Sequence, residues 1–220
     1  LVVIDLSDGT TYEVGPLFDG DGTLFGDFEG LTFGQGADAG FLFAYDDAGG
    51  DRIVKIDPAT GEVVEQWSLD GVGVSEPGLT VAADGTFYVG GSTGVFAVAF
   101  VGGDFTLTEV AAIGEFGGFD ISGLAADPTD PNLLYAIGED GGVIKLFTIA
   151  VDSGTVTELA GVIGFPAGNQ MGLSFDADGN LWAIDEASSV AFQVDPATGA
   201  SIPGSEISLP AGVTFESIAI

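Results

Sequence analysis

Asp57-Pro58-Ala59-Thr60-Gly61 returns letter for letter as Asp195-Pro196-Ala197-Thr198-Gly199. In such a stretch aspartate caps the turn with its side chain, proline presets φ, and glycine takes the positive φ that closes a hairpin. Looser versions are Asp5-Leu6-Ser7-Asp8-Gly9 and Asp152-Ser153-Gly154. Each turn follows an apolar run and leads into a more polar one, as at 62–69 and 155–159, so each joins two strands.

Working outward from these turns, a small residue followed by an aliphatic one recurs at Gly30-Leu31, Gly78-Leu79, Gly123-Leu124, Gly172-Leu173 and Ser217-Ile218, in steps of 48, 45, 49 and 45 residues. Repeats of this length signal propellers or solenoids. A second apolar run comes after each of the first four, at 41–45, 86–89, 133–137 and 181–184. Ala83-Asp84-Gly85-Thr86 and Asp176-Ala177-Asp178-Gly179-Asn180 supply hairpin turns between the two runs. Every unit therefore reads as four strands, A to D, with A small and innermost and D polar and outermost, which is one propeller blade. Helix is not required anywhere.

The expected fold is all-β: a five-bladed β-propeller of four-stranded antiparallel blades. The chain opens on a C-type strand, Leu1 to Leu6, and closes on an A-type strand, Phe215 to Ile220. The fifth blade is thus shared by the two chain ends and lacks its B strand. Pairing both ends in one blade protects edges that otherwise invite aggregation, so Leu1 to Val14 is expected in one sheet with Phe215 to Ile220. Residues 1–220 read as a single propeller domain, a fragment of a longer polypeptide.

Composition agrees and narrows the function. With 37 Gly, 9 Pro and 17 Phe in 220 residues, the chain suits short strands and tight turns better than long helices. No apolar run approaches the roughly 18 residues that cross a bilayer, so membrane insertion is not expected. Thirty-four acidic residues face only Arg52, Lys55 and Lys145, a formal net charge of −31. That field repels phosphate backbones and anionic lipid, which excludes nucleic acid, and makes divalent cations the natural partners. It also suits a halophilic setting, where salt screens self-repulsion. With no cysteine and no histidine, disulfides, thiolate chemistry, zinc and haem sites and the commonest general base are all missing.

The Asp-Pro-Ala-Thr-Gly turns, together with Gly-Leu-Ser-Phe-Asp-Ala-Asp-Gly-Asn-Leu-Trp-Ala-Ile-Asp at 172–185, resemble repeats of prokaryotic propellers related to the NHL, PQQ-like and SMP-30-like groups. The resemblance spans nearly the whole chain. It is specific for fold and poorly specific for function, because similar blades serve lactonases, lyases, scaffolds and adhesive proteins. The composition is similar to that of modules in large exported surface proteins, which implies an extracellular or cell-surface location.

For chemistry, the acids just before the A strands are the candidates: Glu29, Glu76, Asp120 and Glu216, with Gln170 in the fourth unit's place. Equivalent positions of successive blades converge at one channel mouth, and calcium takes six to eight oxygen ligands, several of which a carboxylate ring supplies. SMP-30-like propellers similarly place a metal-binding glutamate before an A strand, although their full ligand set is not recognisable here. The alternative is that these acids cap loop amides in a solvated channel. Asp19-Gly20-Asp21-Gly22 and Asp176-Ala177-Asp178-Gly179 echo a calcium loop but lack its closing glutamate, so turn chemistry explains them better. Ser188-Ser189 has no histidine to activate it, and Trp67 and Trp182 fit strand patterns as packing residues.

Three functions stay open. The leading one is a non-catalytic structural or adhesive module, partnered by other protein domains or subunits of a surface assembly. The others are a sugar or small-ligand binding propeller and a metal-dependent lactonase or hydrolase.

Overall fold

The computed structural model of the chain describes residues 1–18, 28–46, 51–69, 74–75, 77–161, 163–164, 171–185, 188–210 and 217–220. Among them, β1 (Val2–Ile4) and β2 (Thr11–Glu13) form an antiparallel hairpin. Four antiparallel meanders of four strands follow. They are β3 (Phe28–Phe33) to β4 (Leu42–Asp46), β5 (Arg52–Asp57) and β6 (Glu62–Leu69); β7 (Gly78–Val81) to β8 (Phe87–Gly91), β9 (Gly94–Val101) and β10 (Asp104–Ala112); β11 (Asp120–Ala126) to β12 (Leu133–Asp140), β13 (Val143–Ala150) and β14 (Thr155–Glu158); and β15 (Met171–Phe175) to β16 (Leu181–Asp185), β17 (Val190–Val194) and β18 (Ile207–Ser208).

The repeated turn works as its residues dictate. The Asp57 carboxylate accepts the Ala59 N–H at 2.9 Å, its carbonyl accepts the Gly61 N–H at 2.8 Å, and Gly61 stands at φ 78°. Asp195 makes the same bonds to Ala197 and Gly199, and Asp5 reproduces the turn with Ser7 and Gly9.

The inner strands pack side by side, and the glycine that opens each one is required by its neighbour. A Cβ on Gly78 would lie 2.6 Å from the Leu124 backbone nitrogen, one on Gly30 2.7 Å from that of Leu79, and one on Gly172 2.6 Å from that of Ile218. Hydroxyls tie the same seams: Thr80 accepts the Ala126 N–H at 2.9 Å, Ser122 that of Met171 at 3.1 Å, and Ser174 that of Ile220 at 3.2 Å.

The core is divided among these seams. One apolar cluster lies between the first and second meanders, one between the second and third, and one between the third and fourth. Two more bring in the chain ends: Trp182 and Ile184 of the fourth meander pack with Ile218, Val2 and Ile4, while Leu42 and Ile56 of the first pack with Leu1 and Ala219. Gly9 lies against the Ser208 carbonyl of β18, and Gly61 against that of Pro16. The N-terminal hairpin therefore sits between the fourth meander and the first.

Three expectations need correction. Among the described residues the two ends come together through side chains, without a shared ladder: there β1 pairs only with β2, and 217–220 is not a strand. An A and a C strand stand two strand spacings apart, about 9.6 Å, and no B strand bridges them among the described residues. Secondly, the first and second meanders form one eight-stranded sheet, because β6 and β10 pair in parallel at Ser68–Asp104 and Leu69–Phe105. An aromatic seam holds them, with Trp67 4.7 Å from Phe100 and stacked on Phe43 at 6.1 Å. Thirdly, helix is used twice among the described residues, in single 3-10 turns at Gly36–Asp38 and Ile113–Phe116. The second of these buries Phe116 edge-on to Phe147, closing the seam between the second and third meanders.

Candidate functional site

The inner strands pack around a common axis, and the two ends of that axis, its mouths, differ in how their acids are used. At the mouth where the inner strands end, Thr32, Thr80, Ala126, Ser174 and Ile220 line a cavity of 320 Å³ together with Asp127 and Asp176. Both acids are occupied by their own turns. Asp127 accepts the backbone N–H groups of Thr129 and Asp130 and the Thr129 hydroxyl at 2.8–3.0 Å. Asp176 accepts from the Asn180 side chain, the Trp182 indole and the backbone N–H groups of Asp178 and Asn180, all at 2.8–3.0 Å. Burial pushes the Asp176 carboxyl up, but these four donors outweigh it and hold it below the ordinary aspartate value. Asp176-Ala177-Asp178-Gly179 is thus a hydrogen-bonded turn, and Trp182 is a core residue with a satisfied indole.

At the opposite mouth, Glu29 occupies the β-bulge where β3 turns inward, between Phe28 and Gly30, and is 8% exposed. The bulge in β11 falls between Ile121 and Gly123, so Ser122 holds the matching place. Asp120 lies two residues further out, exposed and opposite Glu139. The structure does not put Glu29 and Asp120 in equivalent positions. Glu76, Gln170, Glu216 and Asp19-Gly20-Asp21-Gly22 lie outside the described residues. Among the described residues, no three acidic side chains come together to hold a metal ion.

Two further acids belong to this mouth. Asp46 and Asp185, each fully buried, end β4 and β16 opposite the first residue of the adjoining inner strand, Phe28 and Met171. Asp46 is ion-paired with Arg52, and Asp185 accepts the Ser188 N–H at 2.9 Å. Their signal in the sequence is an acid closing the apolar run of the second strand, at Tyr45-Asp46 and Ile184-Asp185. Reading those strands as ending at 45 and 184 passes it over.

The remaining cations are also paired internally. Lys55 bonds Asp38 and lies 4.4 Å above the Phe41 ring, and Lys145 reaches Glu158 at 3.1 Å. All three basic side chains of the sequence are thus neutralised within the molecule.

No protein-family model matches the chain, and no curated protein matches it. Solved structures do. Glutaminyl cyclase of Myxococcus xanthus superposes with a TM-score of 0.60 at 17% identity, over 88% of this chain and 80% of that one. The fold is that of a β-propeller. Regucalcin of Agrobacterium tumefaciens, described as a calcium-binding protein, gives 0.53 at 16% identity, over 94% and 79%. A Bacteroides thetaiotaomicron protein of unknown function gives 0.56 at 17% identity over 86% of this chain, which spans only 48% of that protein. At these identities the propeller likeness carries the fold alone. No helix among the described residues is long and apolar enough to cross a membrane.

Proposed function

We infer that the chain is a five-bladed propeller, its fifth blade built from the N-terminal hairpin and residues 217–220. In this reading it serves as a non-catalytic structural or adhesive module of an extracellular or cell-surface assembly. One observation carries the functional reading: the polar groups that converge on the channel are spent on cohesion. Thr80, Ser122 and Ser174 each accept a backbone N–H from the next inner segment, and Asp127 and Asp176 accept hydrogen bonds within their own turns. With the three cations paired internally, the outer surface is left almost purely anionic, which suits contacts bridged by divalent ions.

The test has two arms. Sedimentation in calcium and in sodium at equal ionic strength should show reversible association in calcium, undone by chelation. A panel of lactones and esters, offered with calcium, magnesium, manganese and zinc, should show no turnover above blank. Turnover that survives repurification and is lost in Glu29→Gln overturns the reading.

Calcium at Glu29, Glu76, Asp120 and Glu216 is a second reading, favoured by the buried Glu29 carboxylate and by the calcium-binding description of regucalcin. It is also what a hydrolase-like propeller needs. Calorimetric titration should give a saturable signal that Glu29→Gln and Glu216→Gln abolish; a featureless titration removes this reading.

A further inference from the structure

An apolar groove of about 460 Å³ lies between β1 and the segment 217–220. Val2, Ile4, Leu31, Leu42, Ile218 and Ile220 line it. In each complete meander the place between inner strand and third strand is filled by a second strand. Two of those strands, Leu42–Asp46 and Leu181–Asp185, are buried along their whole length.

The residues facing the groove record what is missing. Counting back from the turn aspartates Asp5, Asp57 and Asp195, Ile4 matches Ile56 and Val194, and Val2 matches Val54 and Phe192. Those four counterparts are fully buried, whereas Val2 and Ile4 are only half-buried and Val3 is 51% exposed. Ile220, matching Phe175 at the end of the inner strand, is 36% exposed. Among the described residues, one edge of β1 carries a ladder to β2 and the other carries none.

We propose that this groove is the seat of a fifth second strand: an extended segment of Leu-aromatic-Ala-(Tyr or aliphatic)-Asp character, joined to Ile220 by a tight turn and pairing antiparallel with both 217–220 and β1. The proposal rests on the five-bladed reading. Its chemistry is fixed by the sister strands Leu42-Phe43-Ala44-Tyr45-Asp46 and Leu181-Trp182-Ala183-Ile184-Asp185, and its register by theirs. Leu181 pairs with Phe175 and Val194, and Ala183 with Leu173 and Phe192. In the groove, the leucine then faces Ile220 and Ile4, and the alanine faces Ile218 and Val2. Attachment through a turn is favoured over a second copy, because two bodies each of charge −31 repel, whereas a tethered strand meets its groove at high effective concentration.

The test extends the chain after Ile220 with a copy of residues 176–185, a turn and a second strand that already follow an inner strand in this molecule. A control extension carries serine in place of its leucine, tryptophan and isoleucine. Seating of the strand should raise Tm by about 5 °C or more over the control and slow amide exchange along the free edge of β1 by about tenfold or more. Equal Tm and equal exchange in the two extended proteins overturn the proposal. So does reversible dimerisation of the unextended chain that Ile4→Asp abolishes, since a second copy then owns the groove. Methyl contacts between Ile218 and Val2 or Ile4, read by NMR in the unextended chain, check closure separately. If they are present and the strand does not seat, only the groove assignment falls; if they are absent, the five-bladed reading falls and takes the assignment with it.

Discussion

Gly78→Ala adds one methyl group where the second inner strand meets the third. The Gly78 backbone is not in the left-handed region, so alanine meets no conformational penalty and the effect is purely steric. The new Cβ would lie 2.6 Å from the Leu124 nitrogen, 2.9 Å from the Gly123 carbonyl carbon and 2.9 Å from the Ser122 oxygen. Ordinary contact begins near 3.4 Å, so relief requires a shift of roughly 0.8 Å. All three atoms are backbone, held by pairing of Gly123 and Leu124 with Ile137 and Ala136. No rotamer change relieves the clash, which places the cost at the upper end of overpacking, about 3 kcal/mol. For a chain of this size Tm should fall by roughly 6–12 °C. Gly114→Ala is the control, since its Cβ meets nothing within 4 Å, and it should stay within about 0.5 kcal/mol of the parent. Urea and thermal unfolding measure both. If Gly78→Ala unfolds with the parent and the control, the inner strands are not packed backbone to backbone and the channel geometry is wrong.

Thr80→Val removes the acceptor of the Ala126 N–H and should cost about 1 kcal/mol in urea unfolding, with faster exchange at that amide. Asp195 is held below its ordinary value by the Ala197 N–H and the Thr198 hydroxyl. Its stabilisation is therefore complete above pH 3.8 and lost as pH falls further, through its lowered pKa. Asp195→Ala should lower Tm at pH 6, with the gap narrowing at about pH 2.5; a gap independent of pH contradicts this. Dilution from physiological salt to 0.01 M lengthens screening from about 8 to about 30 Å, so Tm should drop in low salt, and a salt-independent melt would refute the repulsion argument.

The fold was legible because its repeat is written in backbone chemistry. Asp-Pro-Ala-Thr-Gly can close only one kind of turn, and a Gly-aliphatic pair every 45 to 49 residues marks strands packed too closely for a side chain. The parallel contact of β6 with β10 was not legible, because it rests on the tertiary packing of Trp67, Phe100 and Phe105 and involves only two residue pairs. The 3-10 turn at Ile113–Phe116 was hidden for a related reason. Its one strong local determinant is Phe116, whose role becomes visible only once Phe147 is beside it. At the site, the acids were grouped because each lies just before an inner strand, yet they stand at different distances from the small-aliphatic pair: Glu29 and Glu216 one residue before it, Glu76 two and Asp120 three. The bulges of β3 and β11 fall at the same place relative to that pair, so they preserve the offset and leave Asp120 two residues displaced from Glu29.

That displacement bears on function. A ring of ligands made by repetition needs the same side chain at the same place in successive blades. Here the position immediately before the inner-strand pair holds Glu29, Pro77, Ser122, Met171 and Glu216 in turn. At the end of the second strand, the first and fourth meanders have Asp46 and Asp185, while the second and third have Gly91 and Gly138, whose missing side chains leave room for Val74 Cγ1 and the Ser75 carbonyl, the latter at 2.6 Å, and for the Asp120 carbonyl and Ile121 Cδ1 at 2.7 Å, from where a Cβ would stand. The same space is thus filled by a buried carboxylate in two meanders and by neighbouring backbone and side-chain atoms in the other two. What the blades share is topology and turn chemistry; their polar side chains have diverged toward local structural tasks. A scaffold tolerates that divergence, whereas a site built from several blades does not. Glu29 and Glu216 keep a common place in sequence, one residue before Gly30-Leu31 and Ser217-Ile218. Any cation-binding role for this mouth therefore turns on that pair more than on Asp120.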